Sequence, residues 1–157
     1  MFLKDHFGAI VTNVVALIMG LFMALTAIFL DHLALNWVNL FKIWATIVLV
    51  IILVSWLVPY VKWGNALAGL FGLKSNGLGF SLISGLVPAL LFNTICSLLV
   101  SATNIFYNPV IPQAVRMSIW INGFLRDFLP MLVVSYFAAF IAQAIGVRLA
   151  KKFVLGK

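Results

Sequence analysis

The chain contains no glutamate, three aspartates and one cysteine among 157 residues, and charges of either sign make up only 8% of it. Each scarcity excludes something. A water-soluble domain carries about a quarter of its residues as charges, so a soluble enzyme and a disordered chain are both excluded. With Cys96 alone, no intrachain disulfide can form. The two histidines, His6 and His32, are isolated from each other and from the cysteine, which leaves no clustered ligand set for a metal. No nucleophile has an evident histidine and acidic partner, and no glycine-rich phosphate loop of the Walker type occurs. No enzymatic role, cofactor or metal is expected.

What the chain has instead is apolar length. Hydrophobic residues make up 65% of it, with a mean hydropathy of +1.22. The expected class is an all-α integral membrane protein whose first partner is the lipid bilayer. Ten Lys and Arg against three Asp give +7, which in a soluble protein would suggest nucleic acid. Here the cations are scattered between apolar runs and form no basic face, so nucleic acid is not an expected partner.

Four runs are long enough to cross a hydrocarbon core. The first, residues 10–30, holds 21 uncharged residues, about 30 Å of helix. It is too long for the apolar region of a cleaved signal and lacks a small-x-small cleavage site. The second, 43–61, is entered through Trp37, Lys42 and Trp44 and left through Pro59, Tyr60 and Lys62, which are interface anchors. A glycine-bearing connection with Lys74 leads to the third, 80–106. The fourth, 118–147, is interrupted early by Arg126 and Asp127. That pair is expected at the outer interface, with a turn before it lying outside the core. Pro59 and Pro130 are expected to kink the second and fourth spans. Lys4, Lys62, Lys74, Arg148, Lys151, Lys152 and Lys157 fall on one side and Lys42, Arg116 and Arg126 on the other, which predicts both termini in the cytoplasm.

The chain also resembles itself. At an offset of 77, Leu21, Thr26, Ile28 and Phe29 meet Leu98, Thr103, Ile105 and Phe106; at 83, Trp37, Asn39 and Phe41 meet Trp120, Asn122 and Phe124. Two hairpin units, 1–76 and 77–157, are expected, related as parallel repeats about an axis along the membrane normal. Small residues recur every four positions at Thr12, Ala16, Gly20 and Ala24, and again at Gly85, Ala89, Asn93, Ser97 and Ser101. Such stripes let backbones approach closely, and the first and third spans are expected to meet along them.

Two sets of candidate residues follow. Asn93 lies nearest the middle of a span, beside Thr94 and five residues after Pro88. With Ser97, Ser101, Thr103 and Asn104 it forms either a polar path or a line of interhelical hydrogen bonds. Lys42, Arg126 and Asp127 are interface charges, with Asp31 placed to pair with Lys42 across the first hairpin and Asp127 to neutralise Arg126.

Ser97, Ser101, Thr103 and Asn104, followed by a short loop, aromatic residues, Arg126 and a small-residue helix that becomes basic from Arg148, resemble a family of short two-span bacterial inner-membrane proteins of unassigned function. The resemblance covers residues 85–155 and more weakly 10–72, as though two units were fused. The first unit departs from it, with Ala27 where Asn104 would be expected and Ile43 where Arg126 would be. It implies a multi-pass protein of the bacterial cytoplasmic membrane and supplies no reaction. Two functions are expected to compete. One is a small transporter or channel with a polar cavity near Asn93, for which a second copy would help to enclose the path, since four helices leave little interior room. The other is a non-catalytic subunit or scaffold with a dry centre, whose small-residue faces bind another membrane protein.

Overall fold

A computed structural model describes residues 7–74 and 77–155. Lys4, His6 and Lys157, used above for topology and for the metal argument, lie outside the described residues, as does residue 76, where the first unit was expected to end. The helices are α1 (Phe7–Leu30), α2 (Trp37–Leu57), α3 (Tyr60–Leu70), α4 (Leu78–Phe106) and α5 (Gln113–Leu155). The fold is all-helical, and α1, α2, α4 and α5 are each long and apolar enough to cross a membrane. The chain is a membrane protein on this ground.

The helix ends show why the chain turns where it does. Asn36 caps α2 by accepting the backbone N–H of Asn39 at 2.8 Å. At the end of α1 the N–H of Leu33 reaches Ile28 O at 3.0 Å and that of His32 reaches Phe29 O at 3.3 Å, with His32 between them at φ 51. This is a Schellman cap in which histidine occupies the left-handed position usually given to glycine. Gly72 does the same after α3 at φ 67, the N–H of Leu73 reaching Ala68 O at 3.4 Å. A left-handed L-residue costs about 1–2 kcal/mol, so His32→Gly should stabilise the protein by about 1 kcal/mol. The midpoint of thermal unfolding in mild detergent should rise, and an unchanged or lower midpoint would show that the histidine ring compensates.

Three expectations about the spans need correction. Pro59 does not kink the second span; it ends it. The proline ring pushes the preceding residue out of helical space, and Val58 is extended at φ −117, ψ 126. A separate helix, α3, then occupies what was read as a connection. The turn expected before Arg126 is absent among the described residues. Helix α5 runs unbroken for 43 residues, with Pro130 inside it, about 64 Å of helix.

The third correction concerns the small-residue stripes. Helix α1 packs against α2 and α5, α4 against α3 and α5, and α2 more narrowly against α4; the expected seam between α1 and α4 is not among the main packed pairs. Gly20 faces α2, where an added Cβ would lie 2.9 Å from Val48 and 3.5 Å from Trp44. Gly85 faces Phe140 of α5, and Gly146 of α5 faces the Val11 backbone of α1. Gly64 of α3 lies directly on the carbonyl of Ser84, with Ala68 fully buried one turn further on. That carbonyl is the one Pro88 leaves without a helical donor. The stripe glycines Gly20 and Gly85 therefore do pack closely, but against side chains of α2 and α5, while the glycines that meet a backbone, Gly64 and Gly146, lie outside the stripes.

Candidate functional site

The end of the bundle bearing the α1–α2 and α4–α5 connections is called distal here. Its architecture begins with two indoles. Trp44 Nε1 donates to Leu17 O at 3.0 Å, tying α2 to α1, and Trp120 Nε1 donates to Leu98 O at 3.1 Å and Ser101 Oγ at 3.0 Å, tying α5 to α4. The α4–α5 loop is held by Arg116. Its Nε reaches Ile111 O at 2.9 Å, Nη1 reaches Phe106 O at 2.8 Å and Nη2 reaches Asn108 O at 3.0 Å. One guanidinium thus meets Phe106 O at the end of α4 and two carbonyls of the proline-bearing loop, one of which, Asn108 O, also accepts the Ile111 N–H. Sequence reading counted Arg116 only as a topological charge.

Between the two hairpins thus fastened, α1 and α4 stand apart, and a cavity of about 510 Å³ opens at the distal end. Ala27, Leu30 and Ile47 line it from α1 and α2, Cys96, Ser97, Val100, Ser101 and Asn104 from α4, and Asn122, Phe124, Arg126, Asp127 and Met131 from α5, with Asp31 and His32 at the turn after α1. Asn104 also borders a smaller cavity of about 240 Å³ with Thr103, Lys42, Asn39 and Tyr107. The Nδ2 of Asn104 is buried without a hydrogen-bond partner among the described residues. Buried donors are rarely left so unless water or a ligand meets them.

The charged groups meet at one wall. Arg126 Nε reaches Asp127 Oδ1 at 2.6 Å and its Nη2 reaches Asp127 Oδ2 at 2.7 Å, a bidentate pair; Nη2 also reaches Asp31 Oδ1 at 3.4 Å. Asp127 therefore does neutralise Arg126, whereas Asp31 pairs with Arg126 and not with Lys42. Side-chain exposure is 60% for Arg126, 31% for Asp31 and 16% for Asp127. The carboxylates sit further in than the guanidinium, whose long stem carries its charge outward. Burial pushes the Asp31 carboxyl above its ordinary value, and the charge of Asp127 and a hydrogen bond to it add to that rise, against the opposing pull of Arg126 and His32.

The polar residues of α4 divide into two groups. Ser97, Ser101 and Asn104 line the cavity. Asn93, expected at its centre, is fully buried and donates from Nδ2 to Phe128 O at 3.1 Å, holding α4 to α5, while its Oδ1 accepts from Ser97 Oγ at 3.4 Å. Thr94 and Thr103 donate back to carbonyls of their own helix, Leu90 O and Val100 O. Of the two Trp-x-Asn-x-Phe triads, Trp120 is partly buried and hydrogen-bonded, while Trp37 is exposed and Asn39 supports the helix cap by donating to Ala34 O. Lys42 lines only the smaller cavity. No group of three or more metal-ligating side chains forms among the described residues.

No protein-family model, curated protein or solved structure matches the chain. What the site does has to be argued from its own geometry.

Proposed function

We propose that this is a small transporter-like protein that receives a solute in the distal cavity, in a bacterial cytoplasmic membrane with both termini inside. The observation that carries the reading is a ligand-sized space between helices, apolar on most walls and bearing an Arg–Asp–Asp cluster and the unpartnered Asn104 amide. Ionisable groups between membrane helices mark solute and ion paths by default. The scaffold alternative predicts small residues turned outward. Gly20, Gly64, Gly85 and Gly146 are instead spent on packing within the chain. The fusion of two hairpin units belongs to the same reading and rests on the sequence correspondence, since the indole-to-carbonyl ties of the two hairpins come from tryptophans that are not repeat equivalents, Trp44 and Trp120.

The test is access. In a Cys96→Ala background, cysteines at Ser101 and Asn122 should react with a membrane-impermeant maleimide added from the distal side of sealed vesicles, and a cysteine at Met23, in the packed core, should not. Loading the reagent on both sides of reconstituted vesicles then shows whether the path opens inward. A distal end that stays unreactive from either side is dry, and overturns the transporter reading in favour of a scaffold.

A further inference from the structure

We propose that the distal cavity takes a hydrophobic organic cation, with the carboxylate of Asp31 as its counter-charge. The inference rests on the reading of the cavity as a solute site and adds the class of solute.

The argument is one of charge placement. Two carboxylates share one guanidinium, so the wall carries one negative charge in excess when both are ionised. Arg126 gives its two short bonds to Asp127 and only a single 3.4 Å contact to Asp31. An entering anion would have to displace Asp127 from a bidentate pair, which is among the stronger polar contacts a protein makes. An entering cation displaces nothing of comparable strength. The groups that face Asp31 are Arg126 and Asp127 from α5 and His32 from its own turn. The polar groups that helix α4 presents to the cavity, Ser97, Ser101 and Asn104, are all neutral, and α2 presents Ile47. Lys42 of α2 lines the smaller space beside it.

The remaining walls suit the body of such a ligand. Leu30, Ile47, Val100 and Met131 are apolar, and Phe124 adds an aromatic side chain, to whose face a cation is attracted. A small inorganic cation would leave most of this apolar surface uncovered. The raised affinity of Asp31 for a proton adds a competitor. A proton and an organic cation cannot both occupy one carboxylate, so acid should expel the ligand, with the effect setting in above the ordinary Asp value of 3.8. This is an exchange by which a cation and a proton can be moved in opposite directions.

The test uses two probes of the same shape and opposite charge, tetraphenylphosphonium and tetraphenylborate, with the full chain in nanodiscs and empty nanodiscs as the blank. Equilibrium dialysis should show saturable binding of the cation and not of the anion. Asp31→Asn should weaken it about ten- to a hundredfold, the loss of one charge-assisted contact, and Asp31→Glu should retain part of it. Affinity should fall as the medium is made acid. Because the fold disfavours ionisation of Asp31, the asparagine variant should melt no lower than the wild type, which separates lost binding from lost structure. Preferential binding of tetraphenylborate, or cation binding indifferent to Asp31→Asn, overturns the inference. If the cysteines at Ser101 and Asn122 react but neither probe binds, the cavity is a solute site for another class. If they do not react, the solute reading itself has failed.

Discussion

Gly64→Ala is expected to destabilise the protein by about 1–3 kcal/mol, the usual cost of forcing atoms into a packed interface. In the interior of a helix the same change normally helps by about 1 kcal/mol, so the sign of the result is diagnostic. The Cβ would collide with the main-chain oxygen of Ser84, and a backbone atom cannot swing aside as a side chain can. Helix α3 would have to lift from α4, loosening the edge-on contact of Tyr60 with Phe92, whose ring centres lie 5.0 Å apart. Gly69 on the same helix has open space around its Cα, and Gly69→Ala should be neutral or mildly stabilising. Thermal unfolding in mild detergent, followed by circular dichroism, reads both. Equal effects of the two substitutions would mean that α3 does not depend on its close approach to α4.

Arg116→Leu is expected to cost about 3 kcal/mol, since hydrogen bonds from a charged donor contribute about 1.5–3 kcal/mol each and not all three acceptors are removed from water. The consequence is local before it is global. Amide exchange at Asn108 and Ile111, whose N–H groups bond to Ile105 O and Asn108 O, should quicken by about a hundredfold, the equivalent of that energy. Arg116→Lys should recover only part of the protection, because an ammonium on a flexible stem cannot reproduce the planar fork that spans three carbonyls. Full protection in the lysine variant would reduce the clamp to a simple charge effect.

These two positions also mark what could and could not be seen in the amino-acid order. The four crossings were legible because apolar length is a one-dimensional property. Helix α3 was not, because residues 60–70 are short and carry Lys62, Asn65 and two glycines, so they read as a connection. Its existence follows from a tertiary event, the seating of Gly64 on a carbonyl that Pro88 frees. The small-residue stripes told which faces pack closely; they carry no information about which helix arrives there, and α1 was assigned the wrong partner for that reason. Arg126 and Asp127 read as an interruption because, even with Asp127 expected to neutralise Arg126, the pair was placed at the outer interface. As a bidentate pair they largely cancel, and the helix passes through them.

Of the candidate site, Ser97, Ser101, Asn104, Arg126 and Asp127 were singled out and do lie together at the cavity. Asn93 stood out for its depth in a span, yet depth alone does not distinguish a wetted amide from one tied to a carbonyl. Asp31 was noticed with the wrong partner, since Lys42 is nearer along the chain and Arg126 lies 95 residues away. Its place at the wall depends on the antiparallel packing of α1 against α5, which no local pattern announces.

That packing joins the first span to the last, and this has a consequence for how the protein is made. A chain inserted from its N-terminus must leave the α5-facing side of α1 against lipid until the final helix has been synthesised. During that interval Asp31 lacks the guanidinium that meets it in the finished bundle, and the cavity has no third wall. A nascent chain halted before residue 126 would therefore hold a carboxyl without its cation beside an unfinished cleft, and the binding site comes into being only with the last step of assembly.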